Sequence, residues 1–313
     1  MTDQEQITAL YDVLDKSASL YSEKTGLAYL EGLVRSAENI VAGQAVEDDE
    51  GLSTRLADLM SLINDVEFSK EAIRKAFQLA VLKGLKAGDL PLETMTPDTV
   101  GIFIAYLINK FYDIDKPLTI FDPLVGTGNL LAAVANSRKQ EPLLFGVDHN
   151  DQNLMLCRSL MGMLEFEDNI YYQDTLSFSG IQADAILTDV DRYEMIDGKY
   201  FPYELLKQHW HNLKAGGMVF AVIFEEFFQD SLQSQFKSDL LAMYHPIGLI
   251  RLPDDLFTKY RKSVLIMEKP GEKAIEQEFL MASLPSFIDK EALRNTIDRI
   301  NDWFDDRIRK EKQ

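Results

Sequence analysis

A tight glycine turn after an apolar run is the segment of this sequence best suited to chemistry. Residues 117–131 read PLTIFDPLVGTGNLL, with glycines at Gly126 and Gly128 and a helical pattern from Asn129. Glycines let a backbone pass close to a bound molecule, and a helix start presents unpaired N–H groups and a positive dipole end. The turn is therefore predicted to cradle an anionic group of a cofactor. Leu131 replaces the third glycine of the dinucleotide fingerprint, which disfavours NAD or FAD.

Four carboxylates follow short apolar runs along the chain. They are Asp122, Asp148, Asp174 and Asp189, spaced by 26, 26 and 15 residues. This spacing is typical of alternating strands and helices in an open parallel sheet, where ligands bind at the carboxyl ends of the strands. Asp148 also lies 20 residues after Gly128, close to the spacing at which an acidic residue binds ribose hydroxyls. The pattern therefore predicts a ligand-binding edge with Asp148 at a ribose.

The order of these motifs resembles the class I S-adenosylmethionine-dependent methyltransferases, and among them the amino-methylating DNA enzymes of the type I modification-subunit kind. The resemblance covers roughly residues 90–270, about one domain. The segments that carry it are Met95-Thr96-Pro97, residues 122–130, Gly146-Val147-Asp148, Asp174, Thr188-Asp189, residues 213–217, and residues 249–253 with 263–267.

The resemblance implies a doubly wound α/β domain with seven mostly parallel strands in the order 3-2-1-4-5-7-6. It also implies S-adenosyl-L-methionine as the cofactor, with the glycine turn at the aminocarboxylate, Asp148 at the ribose hydroxyls, Asp174 at the adenine amino group and Thr96 at the methionine end. The cofactor-binding residues implied in this way are Thr96, Pro97, Asp122, Pro123, Gly126, Thr127, Gly128, Asn129, Asp148 and Asp174.

The sequence departs from that family at the end of the fourth strand. Family members carry Asn, Asp or Ser, then two prolines and an aromatic residue, whereas this chain reads Asp189, Val190, Asp191, Arg192 and Tyr193. In the family, the tetrad accepts hydrogen bonds from the target amino group and stacks a ring on the extruded base. Asp189 and Tyr193 are therefore the candidate catalytic residues, and we expect weak or absent adenine methylation by the isolated chain.

The composition favours an enzyme scaffold and disfavours unaided recognition of DNA. The 313 residues include 46% hydrophobic residues, one cysteine, and 51 acidic against 32 basic residues, for a net charge of −19. Such a charge is unfavourable for holding a phosphate backbone. The basic cluster at 259–262 is interpreted as a solvated hairpin turn. DNA or a DNA-recognition partner protein remains a possible partner, and the oligomeric state stays open.

Membrane and metal sites are not predicted. The N-terminus has no secretory signal and no 18-residue apolar segment is present, so a cytoplasmic location is expected. His209 and His211 are two residues apart on a predicted helix and point in different directions, so they cannot share a metal.

The remaining segments supply the elements that position the motifs. Residues 1–90 show apolar stripes at helical spacing and are predicted to form a helical N-terminal domain. Residues 91–285 form the predicted methyltransferase domain, and 286–313 a C-terminal helix. Thr96 is predicted as the N-cap of the next helix, with Pro97 at its first position.

Three functions are compatible with the sequence. The first is an S-adenosylmethionine-dependent N-methyltransferase of the DNA N6-adenine type, with a degenerate tetrad. The second is a catalytically weak or inactive cofactor-binding interaction protein, which the missing prolines favour. The third is a methyltransferase that acts on protein or a small molecule, which the net charge favours. The salt dependence of duplex binding discriminates among them, because the DNA affinity of a DNA enzyme must fall steeply as the salt concentration rises.

Overall fold

The N-terminal region consists of four helices. The computed structural model describes residues 1–45, 47–92, 95–191, 194–196, 198–228, 234–257, 260–271 and 278–311. Capping side chains at Thr2, Asp49 and Ser69 accept hydrogen bonds from first-turn amides and so fix three of the helix starts. The four helices are α1 (Asp3–Thr25), α2 (Tyr29–Ala42), α3 (Glu50–Ser61) and α4 (Lys70–Ala87).

A sheet with helices on both faces follows. Its strands are β1 (Thr119–Asp122), β2 (Leu143–Asp148), β3 (Ile170–Tyr172), β4 (Ala183–Asp189), β7 (Leu213–Phe224), β8 (His245–Arg251), β9 (Lys262–Glu268) and β10 (Leu280–Ser283). A separate hairpin consists of β5 (Met195–Ile196) and β6 (Lys199–Tyr200). The remaining helices are α5 (Asp98–Phe111), α6 (Asn129–Asn136), α7 (Asp151–Met163), α8 (Phe201–His209), α9 (Ser234–Met243) and α10 (Lys290–Glu311).

The described strands of the sheet lie in the order β3-β2-β1-β4-β7-β9-β8-β10. β9 is antiparallel to both of its neighbours, and the other pairings are parallel. With β7, β8 and β9 as the fifth, sixth and seventh strands, the predicted order 3-2-1-4-5-7-6 is confirmed. The structure adds an eighth strand, β10, which pairs with β8 at the edge of the sheet. The predicted α/β class is likewise confirmed.

One apolar core extends from the N-terminal helices into the sheet. It contains Leu14 of α1, Phe77 of α4, Ile120 of β1 and Leu131 of α6 in a single cluster. Phe304 of α10 belongs to the same cluster. The N-terminal helices are therefore packed onto the face of the sheet that carries α5, α6 and α7, and they are placed to support the residues at its edge. The domain boundaries at 90 and 285 stay predictions.

Within the part of the chain that the structure describes, every helix is too short or too polar to cross a bilayer.

Candidate functional site

The carboxyl ends of three neighbouring strands converge on one cleft. Asp122, Asp148 and Asp189 are the last residues of β1, β2 and β4, and β1 pairs with both of the other strands. All three carboxylates line the cleft. Seven of the residues singled out from the sequence meet there: Thr96, Asp122, Gly126, Thr127, Asn129, Asp148 and Asp189.

The two glycines of the turn have different roles in the structure. Both adopt the left-handed conformation, with φ of +53° at Gly126 and +80° at Gly128. Gly126 lines the cleft, whereas a Cβ at Gly128 would lie 2.7 Å from Sγ of Cys157 on α7. Gly128 therefore allows α7 to pack against the turn, a packing role that the sequence did not indicate, and its contact with a cofactor stays a prediction.

The start of α6 faces no competing side-chain cap. Gly128 occupies the N-cap position, and among the described residues no side chain accepts from the first-turn amides there. A helix N-terminus of this kind presents N–H groups and the positive end of its dipole. The turn can therefore receive an anionic group such as a carboxylate.

Asp148 ties the end of β2 to the turn and to α7. Its Oδ2 accepts hydrogen bonds from the Gly126 amide and from Nδ2 of Asn153, each at 3.1 Å. Its Oδ1 accepts from the Asn150 amide at 2.9 Å. A carboxylate oxygen has two lone pairs, so Oδ1 has capacity for a further donor. Asp148 thus shapes the cleft itself, and its contact with a ribose stays a prediction.

Asp122 places a buried carboxyl group on the floor of the cleft. Burial raises its pKa well above 3.8, and the nearby charges of Asp189, Asp148 and Asp191 raise it further. A hydrogen bond from the Leu124 amide, at 3.0 Å, opposes that shift. A cation in the cleft would stabilise the charged form of this group. The cleft is therefore electrostatically suited to a cationic ligand.

Asp189 is held by two partners from distant parts of the chain. Thr96 Oγ1 donates to its Oδ2 at 2.9 Å, and Lys262 Nζ donates to its Oδ1 at 2.7 Å. The Asp189 side chain is 11% exposed and that of Lys262 is 6% exposed. The interpretation of 259–262 as a solvated hairpin turn is wrong at Lys262, because this residue opens β9 and points into the site. Its position at the start of the apolar run 263–267 was the available signal.

Thr96 joins Asp189 to the glycine turn. Its hydroxyl bonds to Asp189, and its carbonyl accepts from Nδ2 of Asn129 at 3.2 Å. The predicted capping arrangement is wrong, because α5 starts at Asp98 and Pro97 takes the N-cap position without a side-chain cap. The hydroxyl of Thr96 therefore binds Asp189 and does not cap α5.

Arg74 on α4 is a site-supporting residue that sequence reasoning missed. It is fully buried, and its Nη1 donates to Oδ1 of Asn129 at 2.7 Å. Its Nε and Nη2 donate to the Glu71 carboxylate at 2.8 and 2.7 Å, and Nη2 also donates to Asp98. Only the local spacing of Glu71 and Arg74 was visible in the sequence. The N-terminal helices thereby fix the first residue of α6.

The structure leaves four of the proposed residues away from the cleft lining. Pro97, Pro123 and Gly128 support the backbone around it, and Asp174 lies two residues beyond β3. The Asp174 carboxylate accepts from the Leu176 amide at 3.1 Å and is exposed. Its contact with adenine stays a prediction. Tyr193 lies outside the described residues.

Neither His209 nor His211 lines the cleft, whereas His149 does, with its Nδ1 3.5 Å from Oδ1 of Asp148. His209 is buried and within hydrogen-bond distance of Thr175 Oγ1 and Asn212 Nδ2, at 2.8 and 2.9 Å, and burial lowers its pKa to about 3. His211 is exposed. Among the described residues, no group of three His, Cys, Asp or Glu side chains is arranged to hold a metal ion.

Comparison with solved structures identifies the fold. A Listeria monocytogenes protein, proposed to be a class I S-adenosylmethionine-dependent methyltransferase, has a TM-score of 0.86 and 28% identity, over 96% of this chain and 99% of that one. A modification subunit of a proposed type I restriction enzyme from Vibrio vulnificus has a TM-score of 0.69 and 15% identity, over 96% of this chain and 90% of that one. The predicted resemblance to the class I methyltransferases and to type I modification subunits is confirmed in the fold.

Sequence comparison identifies the family. Residues 8–85 match the family model described as the YtxK N-terminal helical domain. The protein YtxK of Bacillus subtilis strain 168 is 30% identical over 323 aligned positions, which cover 96% of this chain and 98% of that protein. The aligned region therefore includes both the four N-terminal helices of this chain and the sheet that follows them. This chain belongs to the YtxK family.

Proposed function

We propose that this chain binds S-adenosylmethionine in the cleft and is an S-adenosylmethionine-dependent methyltransferase whose acceptor is an amino nitrogen. The observation that carries the proposal is the set of three strand-end carboxylates, Asp122, Asp148 and Asp189, beside an uncapped helix start. The cofactor has a sulfonium and an ammonium, which suit the carboxylates, and one carboxylate, which suits the helix start. The pyrophosphate of a dinucleotide fits this acidic cleft poorly.

The proposed assignment of cofactor parts is the one that the family resemblance implies, and the cleft lined by Thr96, Gly126 and Asp148 supports part of it. Residues 126–129 would hold the aminocarboxylate, Thr96 would close over the methionine end and Asp148 would bind the ribose hydroxyls. Asp174 would meet the adenine amino group beyond β3. When bound, the cofactor supplies a methyl group on a sulfonium for in-line displacement by nitrogen. The contribution of this chain is to position that group and to exclude water from it.

Asp189 would orient the acceptor nitrogen. In the structure, Thr96 and Lys262 each engage one oxygen of this carboxylate. An amino group would have to use the remaining lone pairs of Asp189, in competition with partners that the chain itself supplies. This competition and the absent prolines support the expectation of weak or absent N6-adenine methylation by the isolated chain, with DNA or a DNA-recognition protein as the partner to be tested.

A second candidate is a cofactor-binding interaction protein without methyl transfer. The observation that favours it is that Thr96 and Lys262 already bind the two oxygens of Asp189. In addition, the next residue is a fully buried valine, Val190, where the family has a proline. The acidic surface implied by a net charge of −19 also suits a protein partner better than DNA.

Three experiments test these proposals. In calorimetry, S-adenosylmethionine and S-adenosylhomocysteine should bind and NAD should not; heat with NAD alone would refute the cofactor assignment. Labelled cofactor is then incubated in parallel with unmethylated genomic DNA, extract protein and extract small molecules. Transfer to one class identifies the acceptor, and binding without transfer to any class supports the second candidate. Duplex binding at low and moderate salt separates a DNA enzyme from the others.

A further inference from the structure

The chain places one of its own amino groups at the proposed acceptor position. The proposed function requires a nitrogen beside Asp189, and the Nζ atom of Lys262 lies 2.7 Å from Oδ1 of that carboxylate. Lys262 belongs to β9, 73 residues further along the chain. The ammonium is therefore brought there by the tertiary fold and not by local sequence.

The surroundings of this ammonium hold it firmly in place. Nζ lies 4.7 Å from the ring centroid of Phe224 and 5.2 Å from that of Phe257, so two aromatic rings flank the cation. The backbone of Lys262 pairs with Phe224 across the antiparallel β7–β9 ladder, and its carbonyl accepts from the Leu252 amide at 3.0 Å. The side chain is only 6% exposed. A carboxylate and two rings thus form a small pocket filled by the chain itself.

We propose that Lys262 is a specificity-determining residue that closes the acceptor position to the uncharged amino group of a nucleobase. On this proposal, such a group would take the place of the ammonium at Oδ1 of Asp189, between Phe224 and Phe257. If it displaced Lys262, the charge of Asp189 would lose its compensating partner in a cleft that already contains Asp122 and Asp191. The occupied space and the uncompensated charge of Asp189 therefore both disfavour binding of a neutral amino group. Removal of the Lys262 ammonium should make this position available.

The test uses the full chain and adenosine as the probe. This inference rests on the proposed function, so each sample is first saturated with S-adenosylhomocysteine, which also fills the cofactor's own adenosine site. Adenosine is then titrated by calorimetry into the unmodified chain, Lys262→Met, Lys262→Arg and Lys214→Met. Lys214 is the matched control because it forms a 2.7 Å ion pair with Asp184 elsewhere on the sheet.

We expect Lys262→Met to bind adenosine at least tenfold more tightly than the unmodified chain. Lys262→Arg retains a cation at Asp189, so it should bind adenosine no more tightly than the unmodified chain. The control Lys214→Met should have the same adenosine affinity as the unmodified chain. The inference is overturned if Lys262→Met folds and binds S-adenosylhomocysteine but binds adenosine no more tightly than the unmodified chain. Equal adenosine affinity in the unmodified chain also overturns it. Failure of the unmodified chain to bind S-adenosylhomocysteine is instead a failure of the proposed function.

A second measurement needs no variant, in case Lys262→Met does not fold. Amine-reactive labelling of the cofactor-saturated chain is followed by peptide mass spectrometry. Lys262 should react at least tenfold more slowly than Lys214, and added adenosine should not change that ratio. Adenosine-dependent labelling of Lys262 would show that a neutral base displaces the ammonium, and would overturn the inference.

Discussion

The substitution Arg74→Met tests whether the N-terminal helices support the cleft. It removes the donor to Oδ1 of Asn129, a residue that is only 4% exposed, and leaving a buried acceptor unpaired costs about 1–3 kcal/mol. Glu71 and Asp98 are 41% and 31% exposed at their side chains and can rehydrate, so each lost pair adds only about 0–1 kcal/mol. The expected loss in the free energy of unfolding is therefore roughly 1–5 kcal/mol in total.

The assay compares this variant with Lys83→Met, a matched control on the same helix. Lys83 pairs with Asp15 within the helical region but is 44% exposed, so its loss should cost less than about 1 kcal/mol. Urea unfolding gives the stability of both variants, and calorimetry gives their affinity for S-adenosylmethionine. Arg74→Met should lose both stability and affinity, because Asn129 lines the cleft and keeps only its hydrogen bond to the Thr96 carbonyl. Lys83→Met should retain its affinity.

A double-mutant cycle decides whether Arg74→Met lowers stability because its hydrogen bond to Asn129 is lost. Asn129→Leu alone and Arg74→Met alone should each be destabilising, and the double variant should lose less than their sum, because neither partner is then left unpaired. Additive losses, or an unchanged cofactor affinity in Arg74→Met, would refute the idea that α4 positions the turn.

Three further predictions concern the cleft itself. Asp148→Ala should weaken S-adenosylmethionine binding by about 1–3 kcal/mol in calorimetry, because charged hydrogen bonds are lost; unchanged affinity in a folded variant would place the site elsewhere. Gly128→Val should lower the urea midpoint, because a Cβ there would lie 2.7 Å from Cys157 Sγ at a φ of +80°, and an unchanged midpoint would contradict the packing described. Asp122→Asn removes a carboxyl group whose pKa is raised by burial. The substitution should therefore have no stabilising effect below pH 3.8, an increasing one between pH 3.8 and the raised pKa, and a constant one above it, while cofactor affinity falls. Melting at pH 3.5 and 7.5 checks this sign, and a larger gain at the lower pH would contradict it.

The sequence predicted the features that depend on periodicity and missed those that depend on distant contacts. Asp122, Asp148 and Asp189 were expected at one edge because each follows a buried strand of a parallel sheet. Lys262 and Arg74 reach partners 73 and 55 residues away, and no local pattern encodes such pairings.

Gly128 and strand β10 show two further limits of prediction from the sequence. Gly128 was singled out from the sequence as a cofactor contact, but the neighbour that requires a glycine there, Cys157, comes from α7 and could not be predicted from the turn alone. Strand β10 has four residues and pairs with β8 alone, so its sequence carries too short a pattern to predict a strand. The fold was therefore more predictable than the chemistry at its edge.

The contact between Arg74 and Asn129 has a thermodynamic consequence for the whole chain. Because one side chain is shared by the helical region and the turn, ligand occupancy and the ordering of α1–α4 are linked quantities. Linkage is reciprocal, so if a molecule bound to those helices is coupled to the cleft, it changes cofactor affinity by the same factor by which the cofactor changes the affinity for that molecule. A ligand in the cleft and a molecule bound on α1–α4 would thus be able to influence each other through this one contact, even without methyl transfer.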